Sequence, residues 1–319
     1  MRLAAVLLCA FVATACASYP DGIARDQLPA QQRAALDDEG LGLNWRQQEN
    51  PAAVVVLVHG LNLDPAAMQD IQQLLVTADM DVLSVSLTGH ANALEDDARL
   101  LQFQEATFAI WQEDIRQAVQ LAGQRAAAVQ RPLYLVGFSL GGLLSADYLV
   151  SQSSNSAAAI DRMVLLSPAI SLRWSSYLLY PLQIFPDVFL PSVAPRVYRA
   201  NDYAPVSAYL SLYDGVNQFN ELAGQAANQS LLNIPSLVFM HSSDELVSFA
   251  GVREFIDEHQ LTQWQFIEVD KSEGAADVLD HVIVGPHSLG EEAWRSVSQQ
   301  MLDFLNSNSS TAGRQPGSR

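Results

Sequence analysis

The chain has 319 residues, 49% of them hydrophobic, and carries 17 basic against 35 acidic side chains for a net charge of −18. Such a field repels polyanions, which makes nucleic acid a poor candidate partner, and it gives little attraction to anionic lipid. Only two cysteines are present, Cys9 and Cys16, and neither is spaced with histidines as a metal ligand would be.

Met1 to Tyr19 reads as an export signal, with a single charge at Arg2, an apolar run from Leu3 to Val12 and small residues after it. The run is too short to span a membrane. Ala13-Thr14-Ala15-Cys16 resembles a bacterial lipobox, in which Cys16 becomes a lipidated amino terminus. Ala13 stands where that motif usually has Leu, and ordinary cleavage after Ala15 or Ala17 is the alternative. On the lipobox reading, residues 1–15 are the signal, and the protein is held at the cell envelope by the anchor. On the other it is exported in soluble form. The mature chain then keeps at most one thiol and no intramolecular disulfide. Residues 16–39, with Pro20, Gly22, Pro29 and Asp37-Asp38-Glu39, read as a tether, and residues 40–305 as one large domain with an insertion.

Leu41 to Gln48 is a candidate opening strand. The first clear strand is Ala53 to Val58, whose unbroken apolar run suits a strand covered on both faces, and it ends in His59-Gly60-Leu61-Asn62. Asp64-Pro65 is a helix start, with Met68, Ile71, Leu74 and Leu75 on one face. Val82 to Leu87 is the next strand and runs into Thr88-Gly89-His90. Phe108, Trp111, Ile115, Ala118 and Ala122 then mark a long helix.

Leu133 to Val136 leads into Gly137-Phe138-Ser139-Leu140-Gly141-Gly142, and Leu140, Leu143, Leu144 and Tyr148 lead out with helical spacing. The pattern is strand, sharp turn, helix, with a serine at the apex. The glycines let the turn close against neighbouring backbone, and the first helix amides lie where a developing negative charge would be stabilised. This elbow resembles that of the α/β-hydrolase family, particularly its esterases and lipases of the monoacylglycerol-lipase kind. The resemblance implies a mainly parallel, doubly wound sheet.

Strands alternating with helices point the same way. Met163 to Pro168 is followed by residues 171–230, where Trp174, Tyr177, Leu178, Leu179, Tyr180, Phe185 and Phe189 are interspersed with prolines. This stretch resembles the cap that the family inserts after its sixth strand, although an ordinary helical excursion packed on the sheet would also fit. Ser236 to Met240 and Gln265 to Val269 are further strands, with a helix at Val252, Phe255 and Ile256 between them and a closing helix from Trp294 to Leu305. Residues 306–319 read as a disordered tail.

A serine hydroxyl needs a base, and in this family the order along the chain is Ser, acid, His. The nucleophile by resemblance is Ser139. The turn His241 to Val247 is similar to the family's Gly-x-x-Asp-x-x-Val and puts Asp244 in the acid position, with Glu245 pointing elsewhere and Asp270 the substitute. His281 and His287 remain as candidates for the base, since His241 precedes the acid and His259 ends a helix. Asp280-His281-Val282-Ile283 resembles the family's base sequence, so the resemblance favours His281 over His287. By the same match, the amides of Leu61 and Leu140 form the oxyanion hole, and His59 and His90 are structural.

The implied activity is hydrolysis of carboxylic esters through an acyl-enzyme, without cofactor or metal. Thioesterase or acyltransferase chemistry would use the same residues, a peptidase is less favoured, and a non-catalytic envelope scaffold is the reading from another class. The apolar cap, in which Arg173 is the only basic residue between Ser171 and Pro195, suits uncharged acyl substrates such as monoglycerides.

Overall fold

The computed structural model describes residues 23–33, 42–91, 94–151 and 158–307. The export signal, Cys16 and residues 308–319 of the tail lie outside the described residues. The strands in chain order are β1 (Gly42–Arg46), β2 (Val54–Val58), β3 (Asp81–Ser86), β4 (Leu133–Phe138), β5 (Arg162–Leu166), β6 (Phe189–Pro191), β7 (Tyr203–Pro205), β8 (Ser236–Met240) and β9 (Trp264–Glu268). Seven of them form one sheet in the order β1-β3-β2-β4-β5-β8-β9, and β6 pairs with β7 in a separate antiparallel ribbon. Only β1 runs antiparallel in the main sheet, along β3, so the candidate opening strand becomes an edge strand.

The unbroken apolar strands are explained by two cores, one on each side of the sheet. Val54, Val56 and Val58 of β2 face one core, while Val55 and Leu57 face the other. Alternate residues of a strand point to opposite faces, so a strand covered on both sides must be apolar throughout. The first core receives α3 (Phe108–Val129), α4 (Leu140–Ser151) and α5 (Val206–Ala223). The second receives α1 (Gln69–Thr77) and α9 (Glu291–Asn306). This is the α/β-hydrolase arrangement, a mainly parallel sheet wound on both faces.

Local chemistry sets the element ends. Asp64 Oδ1 accepts from Ala66 N over a short 3₁₀ turn, Pro65–Met68, before α1 begins. Thr107 Oγ1 accepts from Ile110 N at the start of α3, and Gln130 ends that helix in a left-handed conformation. Helix α2 (Asp96–Glu105), which has no counterpart in the sequence reading, buries Ala98, Leu100, Leu101 and Phe103.

The stretch 171–230 divides in two. Trp174–Ile184 is a 3₁₀ segment with no buried residue, and Trp174 and Ile184 are 74% and 72% exposed. Helix α5, by contrast, places Ala208, Leu212, Tyr213, Val216 and Phe219 in the sheet core. The aromatic residues at 174–185 thus point largely to solvent, while the second half of the stretch packs into the core. At the other end of the chain, Ile23 and Leu28, within the stretch read as a tether, are buried beside Leu94, Leu101 and Phe189. Gln104 fastens this segment by accepting from Ile23 N and donating to Ile23 O.

Candidate active site

The register of the parallel sheet brings its chemistry to one edge. Val58 lies opposite Gly137, and Phe138 lies opposite Leu166, so β2, β4 and β5 release His59, Ser139 and Ser167 at nearly the same height. Ser139 follows β4 directly and begins the turn into α4, with φ at 51°. A Cβ on Gly137 would fall against the Gly141 carbonyl, and one on Gly141 against the carbonyls of Val58 and His59. No residue with a side chain fits either place without moving backbone. The turn is tied down by Ser139 N, which donates to Leu166 O at 2.9 Å, and by Ser139 O, which accepts from Leu143 N and Ala169 N.

The structure brings Ser139, His281 and Asp244 together. Nε2 of His281 is 2.9 Å from Ser139 Oγ, and its Nδ1 is 2.8 Å from Asp244 Oδ2. All three are buried, with Ser139 9% exposed. Burial alone would raise the Asp244 carboxyl, but the charge and hydrogen bond of His281 and the amides of Val247 and Leu246 hold it below the usual carboxylate range. An ionised Asp244 fixes the His281 tautomer, with Nδ1 protonated and Nε2 free to accept from Ser139. Arg173 donates to Asp244 O and braces the same turn.

The other histidines are engaged elsewhere. His287 Nδ1 meets the Tyr198 hydroxyl at 2.7 Å. His259 donates from Nδ1 to Phe255 O, a carbonyl at the end of α7 (Phe249–Glu258), and His241 Nδ1 accepts from Ser243 N. Asp270 is exposed beyond β9.

The turns that follow β2 and β4 carry two candidate oxyanion donors. Leu140 N opens α4, where no carbonyl of the helix can reach it. Leu61 N belongs to a peptide whose carbonyl, Gly60 O, accepts from His59 Nδ1 at 2.8 Å and from Leu63 N. Holding that carbonyl from behind aims the N–H of the same peptide the other way. Among the described residues, neither amide donates to a protein acceptor.

His59 can hold Gly60 O because Leu87 N donates to its Nε2, which leaves the proton on Nδ1. Burial pushes the His59 ring down to about 4, against smaller opposing contributions from the Gly60 bond and Asp64. His90, buried beside it, is likewise pushed well below its ordinary value, by burial first and by its neighbour His59 second. It accepts from Asn62 N through Nε2 at 2.8 Å. Both rings are therefore neutral, fixed struts.

Around these groups the structure corrects one expectation and adds a pairing that the sequence reading missed. Glu245 does not point away from the site: its carboxylate oxygens accept from Asp280 N and His281 N. Asn62 and Asn201 are joined by hydrogen bonds across 139 positions. The Asn after His-Gly-Leu was the one available hint, because asparagine tolerates the left-handed conformation that Asn62 adopts, with φ at 52°. A groove of about 840 Å³ between β1, β3 and α1, lined by Asn44, Arg46, Gln69, Gln72 and Ser86, contains none of the residues around Ser139.

Known structures with this fold are numerous. One of the metagenome-derived lipolytic enzymes LipS and LipT superimposes with a TM-score of 0.64 at 18% identity, covering 83% of this chain and 97% of that one. A monoglyceride lipase from Saccharomyces cerevisiae gives 0.63 at 14% identity, with 83% and 91% covered. The monoacylglycerol lipase of Paleococcus ferrophilus gives 0.58 at 17% identity, with 83% and 100% covered. At these identities the likeness is one of fold. No curated protein sequence matches the chain significantly. The profile of the serine aminopeptidase S33 family matches residues 49–211, just over half of the chain, from before β2 into α5 and across the Ser139 elbow. The protein belongs to that family of α/β hydrolases.

Proposed function

We propose that the protein is a serine hydrolase that cleaves carboxylic esters of uncharged acyl substrates. The observation that carries this reading is His281 within hydrogen-bond distance of both Ser139 Oγ and Asp244 Oδ2. Ser139 Oγ attacks the ester carbonyl while its proton passes to His281 Nε2. The resulting oxyanion is bound by the amides of Leu61 and Leu140, where one such donor is typically worth about 3–4 kcal/mol. Collapse expels the alcohol, which takes the proton from His281 and leaves an acyl-Ser139. Water, deprotonated by His281, then attacks the acyl group and releases the acid, returning the proton to Ser139. Asp244 stabilises the imidazolium at both stages.

The family includes aminopeptidases, whose substrates present a cationic amine. The carboxylates around His281 are poorly suited to receive one. Asp244 serves His281, Glu245 accepts two backbone amides, and Asp280 is paired with Lys271 at 3.0 Å. The neighbours in fold, a lipolytic enzyme, a monoglyceride lipase and a monoacylglycerol lipase, point in the same direction. Thioesterase and acyltransferase chemistry would use the same groups and differ in the leaving group or acceptor.

Labelling with a fluorophosphonate tests for a working nucleophile, since Ser139→Ala abolishes the label and a scaffold never takes it. A p-nitrophenyl ester series from acetate to palmitate, run beside acyl-CoA thioesters and aminoacyl amides, tests the substrate class. Each buried methylene contributes about 0.8 kcal/mol, so kcat/KM rises to a medium-chain maximum on this reading. Faster cleavage of thioesters or amides overturns it.

For location, we propose export and lipidation at Cys16, on the strength of residues 1–16 alone. Among the described residues no helix is long and apolar enough to cross a membrane. Cys16→Ser releases the protein from the membrane fraction on this reading, and unchanged association refutes it.

A further inference from the structure

The oxyanion turn is built against the insertion as well as against the sheet. The side chain of Asn62 pairs with the backbone of Asn201 in both directions: Oδ1 accepts from Asn201 N at 3.0 Å, and Nδ2 donates to Asn201 O at 3.0 Å. Asn201 Nδ2 adds a second donor to Asn62 Oδ1 at 3.2 Å and also reaches Gly89 O, while its Oδ1 accepts from Arg99 Nε at 2.9 Å. These partners fix which way both amides face. Asn62 Nδ2 also donates to Ser192 Oγ, and the main chain repeats the link, with Ala200 N donating to Asn62 O and Asp64 N to Tyr198 O.

Both asparagines are buried, Asn62 to 5% exposure and Asn201 to 1%. Asn62 holds a left-handed conformation one residue beyond Leu61, and its own amide is taken by His90. Freed from Asn201, the Asn62 side chain would keep Ser192 Oγ as a partner for Nδ2 but leave its buried Oδ1 with none, and the turn would have to open to solvate it. Opening rotates the Leu61 peptide.

We infer that Asn201, carried on the return segment of the insertion, is a positioning residue for turnover, holding through Asn62 the turn that aims the Leu61 amide at the substrate oxygen. The segment 192–201 is thereby a working part of the oxyanion hole, and displacement of the insertion weakens transition-state binding. Arg99 acts one step further out, by orienting the Asn201 amide.

This inference rests on the hydrolase reading, and the test separates the two. Asn201→Ala removes the side-chain amide and keeps the backbone pairing; Asn62→Gly keeps the left-handed turn without strain and removes the side-chain pairing. Each is compared with the wild-type chain by active-site titration with a fluorophosphonate, by the second-order rate of that labelling, and by kcat and KM on p-nitrophenyl butyrate. Loss of one oxyanion donor costs about 10²–10³ in rate, so a misaimed one is expected to cost about ten- to a hundred-fold. The expected result is that fall in kcat per titrated site for Asn62→Gly, with KM within about two-fold and the labelling rate falling in parallel. Asn201→Ala keeps both backbone bonds to Asn62 and loses the 3.2 Å donor with the Gly89 and Arg99 contacts, so its fall is smaller, at least about three-fold, with the same behaviour of KM and labelling rate. A merely structural role would lower the titratable fraction and the melting temperature and leave kcat per site unchanged, which overturns the proposal. Should one variant fail to fold, the other decides on the same criteria. A wild-type chain that does not label at all refutes the hydrolase reading and this proposal with it, whereas a labelled wild type with variants at its rate refutes this proposal alone.

Discussion

The carboxylate of Glu245 accepts the backbone amides of Asp280 and His281 at 3.1 Å each, so the residue beside the proposed acid, Asp244, grips the main chain of the proposed base. Asp244 holds the ring of His281 and Glu245 holds its backbone. Two adjacent carboxylates therefore fix the position and the tautomer of one imidazole. Hydrogen bonds to a charged acceptor are each worth about 1.5–3 kcal/mol. Glu245→Ala is accordingly expected to lower kcat by at least about ten-fold, with a smaller effect on KM, as the His281 loop loosens. Steady-state kinetics with p-nitrophenyl butyrate measure this; kcat within two-fold of wild type would show that the clamp does not position the base.

The two histidines left open by the sequence have separate surroundings, and this gives a second expectation. His281→Ala should reduce kcat by at least about 10³-fold, since the base and the Ser139 contact are lost together. His287→Ala should leave kcat within a few-fold, because its side chain is engaged with the Tyr198 hydroxyl, the two rings tilted at 47° to one another. Matched rate assays on the two variants, with circular dichroism to check folding, are sufficient. The reverse outcome would move the base by six positions.

Much of this was legible because it is local. The glycines around Ser139 announce a tight turn in sequence, and the apolar runs of β2 and β4 announce strands covered on both faces. Helix α2 was not legible, because Asp96-Asp97-Ala98-Arg99 opens it with charge, and its buried face packs on residues distant in the chain, among them Ile23 and Phe189. The Asn62 position carried a local hint of a left-handed turn, but its pairing with Asn201 did not, since the partners are 139 residues apart. Glu245 reads from the sequence as pointing elsewhere for another reason. A carboxylate bound to backbone amides has no partner side chain by which a sequence could reveal it. The aromatics at 174–185 suggested a pocket wall, but density of apolar residues does not say which way they face, and here many face water.

Asp114 gives a pH dependence of known sign. It is buried on α3, where its carboxylate accepts from Thr88 N and Thr88 Oγ1. Burial pushes its carboxyl up from 3.8 to about 6, against the lowering effect of the Thr88 bonds. Between those two values the folded protein retains a proton that the unfolded chain has released. Stability associated with this group therefore falls as pH rises through that window and stays low above it. Asp114→Asn removes the titration, so its stability relative to wild type should be more favourable at pH 7.5 than at pH 5 by about 1 kcal/mol. Urea unfolding of both proteins at both pH values measures the difference, and an equal offset at the two would refute the assignment.

The elbow offers the last expectation, in which fold and chemistry rest on the same atom. Gly141 lies on the first turn of α4, directly over the end of β2, and a Cβ there would meet the carbonyls of Val58 and His59. Those carbonyls are backbone of a central strand and of the oxyanion turn, so they cannot swing aside as a side chain could. Gly141→Ala must push α4 away from the sheet or shift β2, and α4 carries Leu140, Leu143 and Leu144 of the main core. Overpacking of a tight core costs about 1–3 kcal/mol, and a contact with backbone belongs at the upper end of that range. The same shift would separate Leu140 N from Leu61 N, because the displaced elements carry the two amides. Gly141→Ala should therefore lose about 3 kcal/mol of stability and, in the fraction that still folds, lower the rate of fluorophosphonate labelling at Ser139. Wild-type stability with a wild-type labelling rate would mean that the helix and strand are not held as closely as the backbone geometry at Gly141 requires.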